Sequence, residues 1–222
     1  MIRGNLIVTL MIAHLIASIL AVEIRNLKSA TIALCVQAFF LSSIFAAFAH
    51  LSNNPTLYWW SLTALVTKVV VIPWLLLVYI RKLPKAEITP FMGLTFSISI
   101  VSIILVIFYR FIHTYIEFVA PTPEAMVEPA RSCLTISFMI FALGLYVLIA
   151  RKDAIKVVIG LCLLENGVHL SLITLAPGLP STTFIGIATN VVIAAWLLLY
   201  LTGKIFAIIG STDTSILSEL RR

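Results

Sequence analysis

Long apolar segments alternate with short polar connections along this chain. Seven of these segments reach about 18 residues or more, the length that a helix needs to cross about 30 Å of hydrocarbon. Because they are continuously apolar and do not alternate with polar positions, they predict membrane-spanning helices rather than strands of a membrane barrel. The expected fold class is all-α, a polytopic membrane protein of about seven transmembrane helices. The predicted spans are 4–23, 30–51, 57–80, 91–116, 131–150, 154–176 and 182–207.

One connection is longer than the others and follows the fourth span. Residues 117–130 hold three prolines and three glutamates, a composition typical of a linker. We therefore expect two membrane modules joined on the outer side. The first has four helices (1–118), the linker covers 119–130, and the second has three helices and a short cytoplasmic tail (131–222).

Composition narrows the functional classes. Of the 222 residues, 61% are hydrophobic and 11% are charged, with a mean hydropathy of +1.13, which excludes a water-soluble globule. Seven spans of roughly 22 residues use about 150 residues and leave no room for a soluble catalytic domain. We therefore expect no activity, cofactor or small-molecule substrate belonging to this chain alone, and any chemistry must occur in the bilayer or in a partner.

Basic residues are distributed unevenly between the two ends of the spans. Cytoplasmic connections accumulate Lys and Arg, so the asymmetry predicts an outer N-terminus and a cytoplasmic C-terminus in the cell's inner membrane. The net charge of +6 then reflects topology and contact with lipid headgroups, and we expect no nucleic-acid partner. The cytoplasmic set comprises Arg25, Lys28, Arg81, Lys82, Lys85, Arg151, Lys152, Lys156, Lys204, Arg221 and Arg222, against Arg3 and Arg131 on the other side.

The cysteines and the N-terminus give two further expectations. Cys35, Cys133 and Cys162 occur singly in apolar helices, without the spacing that holds zinc or an iron–sulfur cluster. We therefore expect no metal site. No convincing cleavage site follows the first apolar segment, so we predict that this segment is retained as a span.

Several polar side chains fall inside the apolar spans, where ionisable groups are costly and often mark an ion path. Lys68 is about twelve residues from either end of its span, or roughly 18 Å, which is too deep for its stem to reach an interface. Similar depths on four helices predict a proton or ion path near the middle of the membrane. The residues at these depths are Lys68, Glu165, His14 and Asn190, and the other polar residues inside the spans are His169 and Gln37.

Glu165 and His169 are four residues apart and share one helix face, with Asn166 beside them. Burial disfavours a charged carboxylate, whereas a nearby ammonium such as that of Lys68 favours it. Competition between these two effects would make a site that loads and releases a proton. The alternatives are a static Lys68–Glu165 pair that fixes helix packing and, for His14 and His169, neutral imidazoles bonded to a neighbouring helix.

Two further groups have both a functional and an ordinary interpretation. Pro73 cannot donate to the carbonyl of Val69, so a kink there would admit water near Lys68, or it is a common transmembrane proline. Toward the outer end of the fourth span lie Arg110, His113, Thr114 and Glu117, which form either an exit-side proton group or an interfacial cluster in the same belt as Tyr58, Trp59 and Trp60.

Glycines in the last two spans predict close helix packing. Gly160 and Gly167 are one heptad apart on a side of their helix that is offset from Glu165, and Gly186 and Gly203 occur in the seventh span.

The last ninety residues resemble subunit K (chain 4L) of complex I and the related C subunit of Mrp antiporters. The resemblance rests on three helices, the basic turn Arg151-Lys152-Asp153 and the stretch 159–170, IGLCLLENGVHL. The preceding helices, with the Lys68-x-x-x-x-Pro73-Trp74 motif, and the tail TDTSILSELR at 212–221 make the chain more similar to the hydrogenase-4 component E family of group 4 nickel–iron hydrogenase complexes.

Two positions depart from the subunit K pattern. Cys162 occupies the place of the helix-two glutamate, and a carboxylate appears three residues later at Glu165, roughly on the same face. Asn190, which cannot titrate, matches the helix-three acid. The resemblance therefore implies a proton-path role for Glu165 and only a hydrogen-bonding role for Asn190.

The leading hypothesis is a non-catalytic subunit that contributes Glu165, Lys68, His169, His14 and Asn190 to a proton path. The resemblance implies that its partners are antiporter-like and H-like membrane components of the same complex. It also implies iron–sulfur clusters and a nickel–iron centre in the partners. The alternatives are a subunit of an Mrp-type cation/proton antiporter and a purely structural membrane spacer.

Overall fold

A computed structural model describes residues 2–82, 93–176 and 178–210, and these residues contain seven long helices and no β-strand. Each of the seven is long and apolar enough to cross a membrane, and no end differs from its predicted position by more than three residues. The all-α, seven-span prediction is confirmed, and the chain is a multi-pass membrane protein. The helices are α1 (Ile2–Glu23), α2 (Leu27–Ser52), α3 (Pro55–Ile80), α4 (Leu94–Thr114), α5 (Ala130–Ala150), α6 (Ala154–Leu175) and α7 (Ser181–Ile209).

Polar caps set several of these helix boundaries. The Asn26 side chain accepts from two backbone N–H groups at the start of α2, and Asp153 does the same for α6, which satisfies donors that a helix start leaves free. Asn54 caps α3, whose first residue is Pro55, a position that requires no N–H. Gly210 ends α7 with φ of 75°, the left-handed conformation that glycine adopts easily.

The middle of α3 is not an α-helix. Residues Leu65–Val71 form a π-helical segment, in which the N–H of Ile72 bonds to the carbonyl of Thr67, five residues back. Pro73 comes two residues after this segment and has no N–H to donate to the Val69 carbonyl. That carbonyl instead accepts a hydrogen bond from the thiol of Cys35 on α2, with Sγ and O 3.3 Å apart. The acceptor that we expected to admit water is therefore already hydrogen-bonded within the protein.

The helices of the two predicted modules pack together. α1 packs against α5, α2 against α6, and α3 against α7, in addition to the sequential pairs α1–α2 and α5–α6. The connection after α4 forms one helical turn (Ile116–Val119) and a 3-10 turn (Pro123–Met126). The division of the sequence into modules stays a prediction, but the two sets of helices share their cores.

Glycines bring α5 and α6 into close contact. A Cβ added at Gly167 would lie 2.6 Å from the backbone nitrogen of Phe141, and one at Gly160 would lie 2.7 Å from Val147 Cγ1, so both positions require glycine as predicted. The prediction is wrong for Gly186, where an added Cβ meets nothing within 4 Å. Gly186 is exposed, on a side of α7 that faces away from the neighbouring helices.

Two apolar cores lie one above the other along the bundle axis. One contains Leu76, Ile80, Val147 and Ile155 and lies toward the basic end, which we define as the end formed by residues 23–27, 80–82, 150–154 and 204–210. The other contains Trp60 and lies toward the opposite end. Polar side chains concentrate between the two cores.

Trp60 corrects one expectation. It is 0% exposed, whereas Tyr58 and Trp59 are 49% and 58% exposed. Only the latter two therefore belong to an interfacial belt, because the third aromatic of the run turns inward. On α4, by contrast, most apolar side chains are exposed on the surface of the bundle.

Some predictions fall outside the described residues. These are the tail 212–221 and the basic residues Lys85, Arg221 and Arg222, as well as the side chains of Arg3 and Glu124. The predicted orientation of the chain in the membrane also stays a prediction.

Candidate functional site

The ammonium group of Lys68 lies at the centre of a buried polar cluster between α3 and α6. Its Nζ donates to Asn166 Oδ1 at 2.6 Å and to Glu165 Oε2 at 3.1 Å, and it lies 2.8 Å from His169 Nδ1. Lys68 is 2% exposed. Since an ammonium has three hydrogens, these contacts occupy all of them. The structure therefore brings together three of the predicted residues and pairs Lys68 with Glu165, a contact that the sequence left open.

Local helix geometry explains why these polar side chains lie together. Glu165, Asn166 and His169 lie within one turn of α6 and share a face. That face is turned away from Gly160 and Gly167, which pack on α5. Lys68 projects toward it from the π-helical segment of α3, where the backbone is wider than an α-helix.

Hydrogen bonds continue from Lys68 across the bundle to α1. Asn166 Nδ2 donates to Gln37 Oε1 on α2 at 2.7 Å. Gln37 Nε2 lies 3.2 Å from His14 Nε2, and His14 Nδ1 lies 2.8 Å from the Gln37 backbone oxygen. Gln37 and His14 are both 0% exposed. We call the series Glu165, Lys68, Asn166, Gln37 and His14 the lateral chain, because it crosses four helices at one depth.

Lys68 fixes the direction of each bond in the lateral chain. An ammonium only donates, so Asn166 presents its oxygen to Lys68 and its NH2 group to Gln37. Gln37 then presents its own NH2 group to His14, whose Nε2 accepts. The remaining hydrogen of the imidazole is on Nδ1 and is donated to the Gln37 carbonyl. His14 is therefore neutral in this arrangement and bonded to a neighbouring helix, as the ordinary interpretation of this residue required.

Two buried polar atoms lie near Lys68, on the side away from the lateral chain's amides. Within the described ranges, Glu165 Oε1 and His169 Nε2 have no hydrogen-bond partner, although Oε1 lies 3.2 Å from His169 Nδ1. That Nδ1 also lies 3.0 Å from the Glu165 backbone oxygen. It can accept from Lys68 or donate to Glu165, but not both at once. His169 therefore has two mutually exclusive hydrogen-bond arrangements.

Aromatic rings cover His169 on the side away from the basic end. Phe184 of α7 meets the imidazole edge-on, with centroids 4.7 Å apart, and stacks on Trp60 at 4.6 Å. Phe45 contacts both rings in T-shaped geometry. This aromatic wall separates the cluster from the helix ends opposite the basic end.

The lateral chain is enclosed above and below but is less buried at one end. Glu165 follows Ala154 by eleven residues, or about 17 Å of helix, and lies between the two apolar cores. Its side chain is 9% exposed, whereas His14 at the other end is 0% exposed. Glu165 is therefore the member nearest to the molecular surface.

The structure does not bring every predicted residue to this site. Asn190 is exposed on α7, and Arg110 and Glu117 are exposed near the end of α4 that lies opposite the basic end. His113 stacks on Tyr109 with centroids 5.2 Å apart, and its backbone oxygen accepts from Arg131 at 2.6 Å. Arg110, His113 and Glu117 therefore match the interfacial interpretation of their group better than a buried proton group.

A second polar cluster, which the sequence did not reveal, lies at the basic end. Arg151 Nη2 donates to Ser97 Oγ at 2.9 Å and pairs with Glu23 Oε1 at 3.3 Å. The Ser97 hydroxyl donates to the same Glu23 oxygen at 2.8 Å and lies 2.8 Å from the Tyr146 hydroxyl. Its members come from α1, α4, α5 and the turn after α5. We call this group the basic-end cluster.

Lys156 belongs to the same region. It is 2% exposed, and Nζ donates to the backbone oxygens of Ala21 and Val22 at 2.7 and 3.0 Å. An ammonium at the last turn of α1 satisfies carbonyls that a helix end leaves free. Lys156 and Arg151 were predicted only as markers of topology, yet they also join α6 and the α5–α6 turn to α1.

No group of three His, Cys, Asp or Glu side chains within the described ranges is arranged to hold a metal ion. Cys133 and Cys162 are buried singly. The expectation that cofactors reside in partner subunits stays a prediction.

Comparisons with known proteins agree with the resemblance seen in the sequence. Residues 132–222 match the family model described as NADH-ubiquinone/plastoquinone oxidoreductase chain 4L. Hydrogenase-4 component E of Escherichia coli K12 is 27% identical over 212 residues, covering 93% of each chain. An uncharacterized protein of Mycobacterium tuberculosis H37Rv is 26% identical over 210 residues, covering 93% of this chain and 91% of the relative. No solved structure matches.

Proposed function

We propose that this chain is a non-catalytic membrane subunit of a complex I-like, group 4 hydrogenase-type complex, in which it supplies part of a lateral proton path. The observation that carries the proposal is the buried Lys68–Glu165 pair extended by Asn166 and Gln37 to His14. Similarity to hydrogenase-4 component E along 93% of both chains supports the type of complex. The similarity of residues 132–222 to chain 4L supports the same assignment.

The hydrogen-bond arrangement suggests how a proton would move. Glu165 takes up a proton at its free oxygen Oε1 when the attraction of Lys68 weakens, and releases it when that attraction returns. His169 responds through Nδ1, which switches between accepting from Lys68 and donating to Glu165. The amides of Asn166 and Gln37 keep their direction, because Lys68 only donates, and they connect the ammonium to His14. The charge at Glu165 is thereby coupled to His14 across four helices.

The driving force comes from outside the chain. A unit charge that appears about 10 Å from Glu165 changes the energy of its carboxylate by roughly 1.5 kcal/mol at an effective dielectric constant near 20. That corresponds to about a tenfold change in proton occupancy. Electron transfer in redox partners, which carry the iron–sulfur clusters and nickel–iron centre in this proposal, supplies such charge. In this proposal, antiporter-like and H-like membrane partners conduct the proton through the inner membrane.

One observation favours a second function, a static membrane spacer. All three hydrogens of the Lys68 ammonium have partners, as expected of a pair that only fixes helix packing. The two mutually exclusive arrangements of His169 Nδ1 weigh against it, because a cluster that only fixes helix packing needs a single hydrogen-bond arrangement.

Replacement of Glu165 by Gln in the assembled complex tests the proposal. The variant should abolish or strongly reduce ion translocation, because an amide cannot carry the proton, while reduction of a soluble dye stays close to wild type. Glu117→Gln is the matched control, since Glu117 is an exposed carboxylate, and it should retain translocation. Unchanged translocation in Glu165→Gln would contradict the proton-path role and favour the spacer.

A further inference from the structure

A cavity of about 310 Å³ opens at the basic end, between the last turns of α3 and α7. Its lining includes Tyr79, Lys82, Tyr200, Gly203, Lys204 and Phe206. It is separate from the lateral chain and from the basic-end cluster, and neither uses these residues. We call it the α3–α7 pocket.

Charge in the pocket is of one sign. Among the described lining residues two are lysines and none is acidic. Lys82 Nζ lies 5.4 Å from the centre of the Tyr79 ring, and Lys204 Nζ lies 5.6 Å from that of Tyr200. Such cation–π contacts hold the two ammonium groups beside the cavity. The pocket therefore favours an anion.

Depth in the membrane identifies the kind of anion. Lys204 follows Ser181 by 23 residues, or about 35 Å of helix, which exceeds the hydrocarbon thickness of about 30 Å. Lys204 therefore lies at the level of lipid headgroups. Lys82 lies at the corresponding end of α3, two residues after Ile80.

An apolar surface leads from the pocket into the bilayer. On α7, one turn from Tyr200 toward the membrane centre, Trp196 and Leu197 are 49% and 46% exposed, and the Trp196 ring lies 6.3 Å from that of Tyr200. A ligand with both an anionic headgroup and acyl chains would match the lysines and this surface together. A soluble anion would use the lysines alone.

We infer that the α3–α7 pocket binds the headgroup of an anionic phospholipid, with phosphate between Lys82 and Lys204 and acyl chains along the exposed face of α7. Basic pockets between transmembrane helices at the cytoplasmic side are suited to anionic lipids. The pocket volume is within the range of small-molecule sites. Phospholipid would then bind where α3, which carries Lys68, ends against α7.

Native mass spectrometry of the purified full chain, titrated with phosphatidylglycerol in detergent, tests this inference. Lys82→Gln/Lys204→Gln should weaken the apparent affinity for the first bound lipid about 25-fold, since each lysine near a membrane surface is worth about fivefold. The matched control is Arg25→Gln/Lys28→Gln, which removes two exposed basic residues of the same end outside the pocket. It should weaken the affinity far less, because neither Arg25 nor Lys28 lines the cavity. Titration with zwitterionic phosphatidylcholine should show no difference among the three proteins.

A second variant acts on the shape of the pocket and leaves its charge unchanged. A Cβ at Gly203 already meets Tyr79 Cε1 at 3.2 Å, so Gly203→Leu should fill the floor of the cavity and displace the lipid. Equal losses in the pocket and control lysine variants would show surface attraction alone and overturn the inference. Full lipid retention by Gly203→Leu would overturn it as well. If the lysine variant does not fold, Gly203→Leu decides.

Discussion

The side-chain amides of Gln37 and Asn166 meet at 2.7 Å, with the nitrogen of Asn166 facing the oxygen of Gln37. Each amide thus has its oxygen toward one neighbour and its nitrogen toward the next. Because Lys68 can only donate, this contact transmits its polarity from α6 to α2 and on to α1. The two amides therefore determine whether His14 belongs to the same electrostatic unit as Glu165.

Replacement of Gln37 by Leu should interrupt that unit. The change leaves Asn166 Nδ2 and His14 Nε2 buried without their partner, and each such loss costs about 1–3 kcal/mol. We expect lower thermal stability in detergent and reduced ion translocation in the complex. Asn190→Leu is the control, because Asn190 is exposed and should tolerate the change. Equal effects of the two substitutions would show that the lateral chain does not depend on Gln37.

Removal of the Lys68 charge should damage assembly more than removal of both charges. Lys68→Gln leaves Glu165 as an unpaired buried acid, and breaking a buried pair typically costs about 3–5 kcal/mol. In Lys68→Gln/Glu165→Gln, two neutral amides can bond to each other, so the yield of assembled complex should recover while translocation stays lost. Both quantities are measured on purified complex. Translocation by the double variant at the wild-type rate would identify the pair as static.

The basic-end cluster should behave as one energetic unit. Ser97 connects Arg151 and Glu23 through a single hydroxyl, so Ser97→Ala should weaken the coupling between them. A double-mutant cycle of Glu23→Gln and Arg151→Gln, measured by thermal unfolding, should give a coupling energy of about 1 kcal/mol, since the pair is partly exposed. In the Ser97→Ala background the coupling should change. Simple additivity in both backgrounds would mean that the contacts contribute nothing to stability.

Alanine at two glycines should have opposite effects. At Gly167 a methyl group would lie 2.6 Å from the backbone of α5, so the helices must separate, at a typical cost of about 1–3 kcal/mol. At Gly186 an added Cβ meets nothing within 4 Å, and alanine should be neutral or slightly stabilising because it favours a helix. Thermal unfolding of both variants in one detergent measures the difference. Equal unfolding temperatures would argue against close packing of α5 on α6.

Counting residues from the sequence predicted depth well, because each residue adds a fixed rise along a helix. It thereby placed Lys68, Glu165 and His14 in one layer. Rotation about the helix axis could not be predicted in the same way. Spans that are apolar on all sides give no preferred buried face, so Asn190 was expected inside but lies outside. Trp60 was expected at the membrane interface but lies inside the bundle.

The basic-end cluster was missed for a related reason. Its residues lie at helix ends, where charged side chains are common and are most simply interpreted as topology signals. Only the packing of α1, α4 and α5 shows that Glu23, Ser97 and Arg151 share one site. A glutamate at the end of a span, on the side that is otherwise basic, was the one available signal.

The separation of 97 residues between Lys68 and Glu165 along the chain also affects biosynthesis. At about 5–20 residues per second, ribosomes need roughly 5–20 seconds to reach the glutamate after the lysine has been made. During that interval α3 enters the membrane with an unpaired ammonium near its centre, a position that insertion machinery tolerates poorly. The partner of that ammonium arrives only with α6, and nascent chains that stop short of α6 should be early substrates of membrane quality control.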